Sequence, residues 1–219
     1  MSTITDKDAA ITGLKKGDIG IYDVSEELQA DKEVVMAAVQ QSDEDFMSVS
    51  DDFKADKEVV MAAVQQSGHA IQWASEELQK DKELMLLAVQ QDGTAIGAGA
   101  DKWKNNKEMV MVAVQQDGFA LREVSGKMKA DKEVVIAALT NRGNTLDAAS
   151  EEMRADKEVV MAAVQPDITE REPDTSHNPR TPGLALEDAS AELQADKEVV
   201  MAAVQENGRA LRWAYEKFQ

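Results

Sequence analysis

The eleven residues ADKEVVMAAVQ occupy positions 30–40, and the same eleven recur at 55–65, 155–165 and 195–205. Such a chain folds as repeated bricks, so its period is read before anything else. Asp31, Asp56, Asp81, Asn106, Asp131 and Asp156 open successive copies in steps of 25 residues. Counting back by the same step reaches Asp6, in DKDAAITGL, a diverged first copy. The last copy opens at Asp196, a step of 40, and the extra 15 residues (40 − 25) fall within 166–183, which holds all four prolines. The chain therefore reads as one repeat domain, 1–219, of eight copies: 6–30, 31–55, 56–80, 81–105, 106–130, 131–155, 156–195 with the inserted loop, and 196–219.

Each copy predicts two short helices. Position 1, always Asp or Asn, suits an N-cap, because its side-chain oxygen can take a free backbone N–H. An acid at position 3 complements the helix dipole. Helix A then runs through VVMAAV, apolar at positions 4, 5, 6, 8 and 9. Near position 13 comes glycine in most copies (Gly68, Gly93, Gly118, Gly143, Gly183, Gly208), a residue that usually closes a helix. A second helix, B, comes next, as in HAIQWASEELQ, with apolar positions 15, 16, 19 and 23 at helical spacing. Helices of about ten residues are marginal alone. Stacked copies cover one another, which is the logic of an all-α solenoid of helical hairpins. Position 8 is alanine in seven copies and Gly13 in the first, small enough for close approach.

The stretch ADKEVVMAAVQQSGHAIQWASEELQKDKELMLLAVQQDG, residues 55–93, resembles the repeat family known as domain of unknown function 4116, whose members share the phrases ADKEVVLAAV and ALxxASEELR. The resemblance covers nearly the whole chain except 166–183. It implies a helical repeat fold. It implies no activity and carries over no catalytic or ligand residue.

Composition narrows the function classes. The net charge is −18, which argues against a nucleic-acid binder and against attraction to an anionic membrane, while favouring a partner with a basic face. There are no cysteines, so disulfides and thiolate chemistry are excluded. The opening MSTITDKDAA lacks the blocks of a signal peptide, and no apolar run approaches a membrane span. The expectation is a soluble intracellular protein, cytoplasmic by default.

No constellation for catalysis emerges. The two histidines, His69 and His177, lack the partners of a metal site. GTAIGAGAD, 93–101, follows a helix where a phosphate loop would follow a strand. The acidic run SDEDFMSVSDDF, 42–53, lacks the order of a calcium loop. The recurrent Glu of position 3 forms a ladder, whereas acid–base chemistry needs a pair in a pocket. No enzyme activity, cofactor or metal is expected.

Partner binding is the better expectation. Positions 14, 17, 18 and 21 vary most between copies and, on a continuous helix B, share one face. That face carries Ile19, Tyr22 and Asp23, then Glu44, Met47 and Ser48, then His69, Gln72 and Trp73, and later Phe119, Arg122 and Glu123. Trp73 and Trp213 stand at position 18, where other copies are mostly polar, and a Trp at a polar slot is a candidate anchor. Phe119, Arg122, His69, Arg209, Arg212 and Tyr215 complete the candidate set. Trp103, at an apolar position 23, reads as core, as does the methionine series at position 6 (Met36, Met61, Met111, Met161, Met201). Residues 106–130 and 196–219 form relatively basic islands, with Lys102, Lys104, Lys127 and Lys129 among or near them, an asymmetry that orients a partner. The first copy, with Gly13, Lys15, Lys16 and Gly17, suits a polar cap. The end RALRWAYEKFQ has no following helix A, which opens self-association through the terminal repeat. The expected function is a non-catalytic interaction or scaffold module, with a structural subunit stacking in a larger assembly as the alternative.

Overall fold

The computed structural model describes residues 3–141, 143–165 and 182–214. All its regular elements among those residues are helical, apart from one isolated bridge pairing Ile4 with Val24. It divides into two compact units, Met1–Lys102 and Trp103–Gln219.

In the first unit, helix A of successive copies spans Lys7–Lys16, Lys32–Val39, Lys57–Gln66 and Lys82–Gln91, each packed on the next. In the second, the row is Lys107–Gln116, Lys132–Asn141, Lys157–Val164 and Lys197–Glu206. The position-1 side chain caps the helix in every copy; Asp81 Oδ1, for example, accepts from the N–H groups of Glu83 and Leu84 at 2.9 and 3.1 Å. The fully buried residues are at positions 4, 5, 8 and 9, as in Val59, Val60, Ala63 and Val64. Position 6 lies at the edge of that stripe, because two residues turn a helix by about 200°. Met36, Met61, Met111 and Met161 are accordingly half-buried, and Met201 is exposed. The methionine series thus flanks the core, which corrects the expectation that it lines it. Trp103 is buried as expected.

The second element is not one helix. After helix A the chain restarts at position 12, whose extended residue caps a 3-10 segment: Asp92 Oδ1 accepts from Thr94 N–H, and Asp117 Oδ1 from Phe119 N–H. These segments are Ile21–Asp23, Gly68–Trp73 and Gly93–Gly97 in the first unit, and Gly118–Arg122, Gly143–Ala148, Pro182–Asp188 and Gly208–Trp213 in the second. The second copy has Asp43 at position 13 and forms an α-helix there, Asp43–Ser48, with three carboxylates in its first turn, where they complement the dipole. Positions 19 and 20 then run extended (Ala74 ψ 159, Ser75 ψ 152) before a single α-turn such as Glu76–Gln79. Position 20 ties this layer to the preceding copy through its N–H. Ser75 donates to Lys54 C=O, Ser125 to Lys104, Ser150 to Lys129 and Ser190 to Arg154, at 2.8–3.1 Å. Ser25 makes the same bond to Ile4 C=O, so the segment before the first copy fills that joint.

The position-13 glycines are not helix stops. Among the described residues only Gly17 has a left-handed backbone, φ 71. Gly68 is buried, and a Cβ on it would lie 2.5 Å from the Ala88 carbonyl oxygen, at position 8 of the next copy. Glycine is there because the next helix backbone passes so close. The small position 8 is the other half of that contact.

Candidate protein-interaction surface

The extended residues at positions 19 and 20 break the expected four-position face of helix B. In a 3-10 segment residues three apart eclipse, so positions 14 and 17 align, while position 21 begins a separate turn.

In the first unit, position 17 gives the most exposed column of positions 14, 17 and 18. Ile21–Asp23, Asp43–Ser48 and Gly68–Trp73 pack in sequence. Their position-17 residues are Tyr22, 73% exposed, Met47, 48% exposed, and the exposed Gln72. Trp73 beside them is half-buried. Beneath this column, between the first two copies, lies a shallow cleft whose lining includes Ile21, Glu26, Gln29, Ser48, Val49 and Ser50. Asp45, where other copies have a small residue, reaches back so that its Oδ1 accepts from Ile21 N–H at 2.9 Å. Burial there pushes its carboxyl above the ordinary carboxylate value. His69 turns toward the next copy, with Nδ1 3.4 Å from Asp92 Oδ2 and Nε2 3.4 Å from Thr94 Oγ1. It joins copies at least as much as it faces outward.

In the second unit, Phe119 is half-buried and the Arg122 guanidinium sits 5.8 Å from its ring centre. Arg122 Nη2 also donates to both carboxylate oxygens of Asp147, at 2.8 and 2.7 Å, so its charge is met inside the unit. Lys129 Nζ donates to Arg122 C=O. Arg209 is exposed, and Arg212 stacks over half-buried Trp213 at 4.6 Å. Tyr215, His177 and residues 166–181 of the inserted loop lie outside the described residues. The candidates therefore divide between the two units. Tyr22 and Met47, which sequence comparison ranked below the tryptophans, are the large exposed apolar side chains among the described residues of the first unit. Their signal was position 17 itself, exposed in each of the first three copies.

A second feature escaped the sequence reading. The position-2 lysine of six copies clips onto the Asp and Glu of the next. Lys7 reaches Asp31 and Glu33, Lys32 reaches Asp56 and Glu58, and Lys57 reaches Asp81 and Glu83. Lys107, Lys132 and Lys157 repeat this in the second unit, the last across the inserted loop to Asp196 and Glu198. All twelve separations are 2.7–2.9 Å. These lysines hold the aspartates below their ordinary carboxylate value, and the carboxylates raise the lysines. Among the described residues no group of three His, Asp or Glu side chains could hold a metal ion. No described helix is long and apolar enough to cross a membrane.

A family model described as a domain of unknown function, DUF4116, matches residues 56–98, 81–129, 131–167 and 177–219. Three of the four matches open where a copy opens, at 56, 81 and 131, and the first two copies lie outside all of them. No curated protein and no solved structure matches the chain.

Proposed function

The chain belongs to the DUF4116 family, and on that footing we propose that it is a non-catalytic protein-interaction or scaffold module. The observation that carries this reading is the adjacent pair Tyr22 and Met47, 73% and 48% exposed in successive copies. Exposed apolar anchors beside a cleft and rimmed by acids such as Glu26 and Glu44 suit a partner that offers an apolar side chain within a basic surface. The stacked core beneath holds both anchors on short, mutually packed segments, which keeps the ordering cost of binding low.

The test is comparative. Tagged wild type and a Tyr22→Ser/Met47→Ser variant are passed through native extract at two salt concentrations, and bound proteins are quantified by mass spectrometry. A stoichiometric protein retained by wild type and reduced at least about tenfold by the variant is the expected result. Equal recovery by both chains would remove this surface from the reading. A second reading, a structural subunit that stacks in a larger assembly, is favoured by the uncovered apolar residues of the last copy, Met201 and Leu211.

A further inference from the structure

We propose that the chain associates head to tail with a second copy of itself, the eighth repeat of one molecule seating on the first helix of another. The proposal takes up the stacking reading and is independent of Tyr22 and Met47.

Position 16 is fully buried in the copies before the last (Ile71, Ile96, Leu121, Leu146, Leu186), yet Leu211 is 44% exposed. Position 9 is buried from the second copy to the seventh and only half-buried at Val204. Gly68 keeps its glycine because the next helix passes 2.5 Å from where a Cβ would be, yet a Cβ on Gly208 would meet nothing within 4 Å. The seat is built and nothing among the described residues fills it.

Charge identifies the occupant. Lys197 is exposed and has no ion-pair partner among the described residues, whereas Lys7, Lys32, Lys57, Lys107, Lys132 and Lys157, at the same position 2, each clip an Asp and a Glu. The groups missing from its clip are a position-1 and a position-3 acid. The first copy presents both, Asp6 and Asp8, exposed and with no lysine paired to them among the described residues. The rest of the register agrees. Ala9, at position 4, is exposed where Val34, Val59 and Leu84 are buried. Ile4 already fills the joint to Ser25, so the contact is confined to the helix A row and is correspondingly weak. Such a heterologous contact leaves a free end on each molecule, so association proceeds past a dimer unless a ring closes.

Molar mass is measured by light scattering from about 10 μM to about 1 mM at low salt, a range suited to weak association. Wild type is expected to grow in mass with concentration. Leu211→Asp and Gly208→Trp abolish the growth. Lys197→Glu and Asp8→Lys each weaken it about fivefold, the scale of an exposed pair, and the double variant restores it. Tyr22→Ser/Met47→Ser leaves it unchanged. Circular dichroism confirms that each variant is folded. A constant monomer mass overturns the proposal, as does growth that survives Leu211→Asp. Growth indifferent to Asp8→Lys would mean tail-to-tail pairing and overturns it equally.

Discussion

At the scale of the residue, identical letters play different roles according to whether another copy packs on them. Gly68 and Gly208 occupy the same position in copies of nearly the same sequence. One faces a backbone carbonyl and the other open space. Gly68→Ala is expected to destabilise by about 1–3 kcal/mol, because the rigid neighbour cannot yield. Gly208→Ala should change stability by less than about 0.5 kcal/mol, as surface substitutions do. Urea denaturation of the two variants checks the contrast, and equal effects would refute the close-packing role. This distinction was only half legible in sequence. A glycine after a helical run signals a stop by local conformation, whereas its cause here is a contact with Ala88 in the next copy. The caps were legible, because Asp at position 1 acts within its own turn.

At the scale of the element, local pattern identified helix A and misjudged the second half of each copy. Positions 15, 16, 19 and 23 have helical spacing and do bury apolar groups such as Ala70, Ile71 and Ala74. They are brought together by a 3-10 segment, an extended pair and one α-turn, a path whose bonds run to the preceding copy (Ser75 to Lys54). Such bonds leave no periodicity within a copy. The lysine clip is equally non-local, and it gives the joint a pH signature. Asp81 lies below its ordinary 3.8 because Lys57 binds it. Its contribution is thus complete above that value and is lost as pH falls through the lower folded value. Lys57 is raised above 10.5, so its contribution is complete below 10.5 and lost as pH rises through its folded value. Asp81→Asn keeps a capping oxygen, as Asn106 does naturally. The stability difference between wild type and Asp81→Asn should therefore be flat from about pH 5 to 9 and shrink toward pH 2, read from chemical denaturation at each pH. A difference that grows on acidification would contradict the clip.

At the scale of the whole molecule, repeats interact through neighbours, so an insertion is harmless if it leaves the joints intact. The seventh copy tests this. Its helix A, Lys157–Val164, and its 3-10 segment, Pro182–Asp188, are separated in sequence by the inserted stretch and pack directly together. Both joints around it close in the ordinary register: Ser190 N–H reaches Arg154 C=O, and Lys157 reaches Asp196 and Glu198 at 2.9 Å. A step of 40 residues thus makes the same contacts as a step of 25. Deleting residues 166–180 restores the 25-residue spacing, with Gln165 followed by Thr181, Pro182 and Gly183. Closing a shorter loop costs less entropy, by about 0.6 kcal/mol per halving of its length. The deletion variant is therefore expected to match wild type or exceed it by about 1 kcal/mol in urea denaturation. Its amide exchange in 182–214 should be unchanged. If the inserted stretch were instead part of the packing, the deletion would lower the denaturation midpoint and speed exchange at Val199 and Val200, which are buried in the last helix.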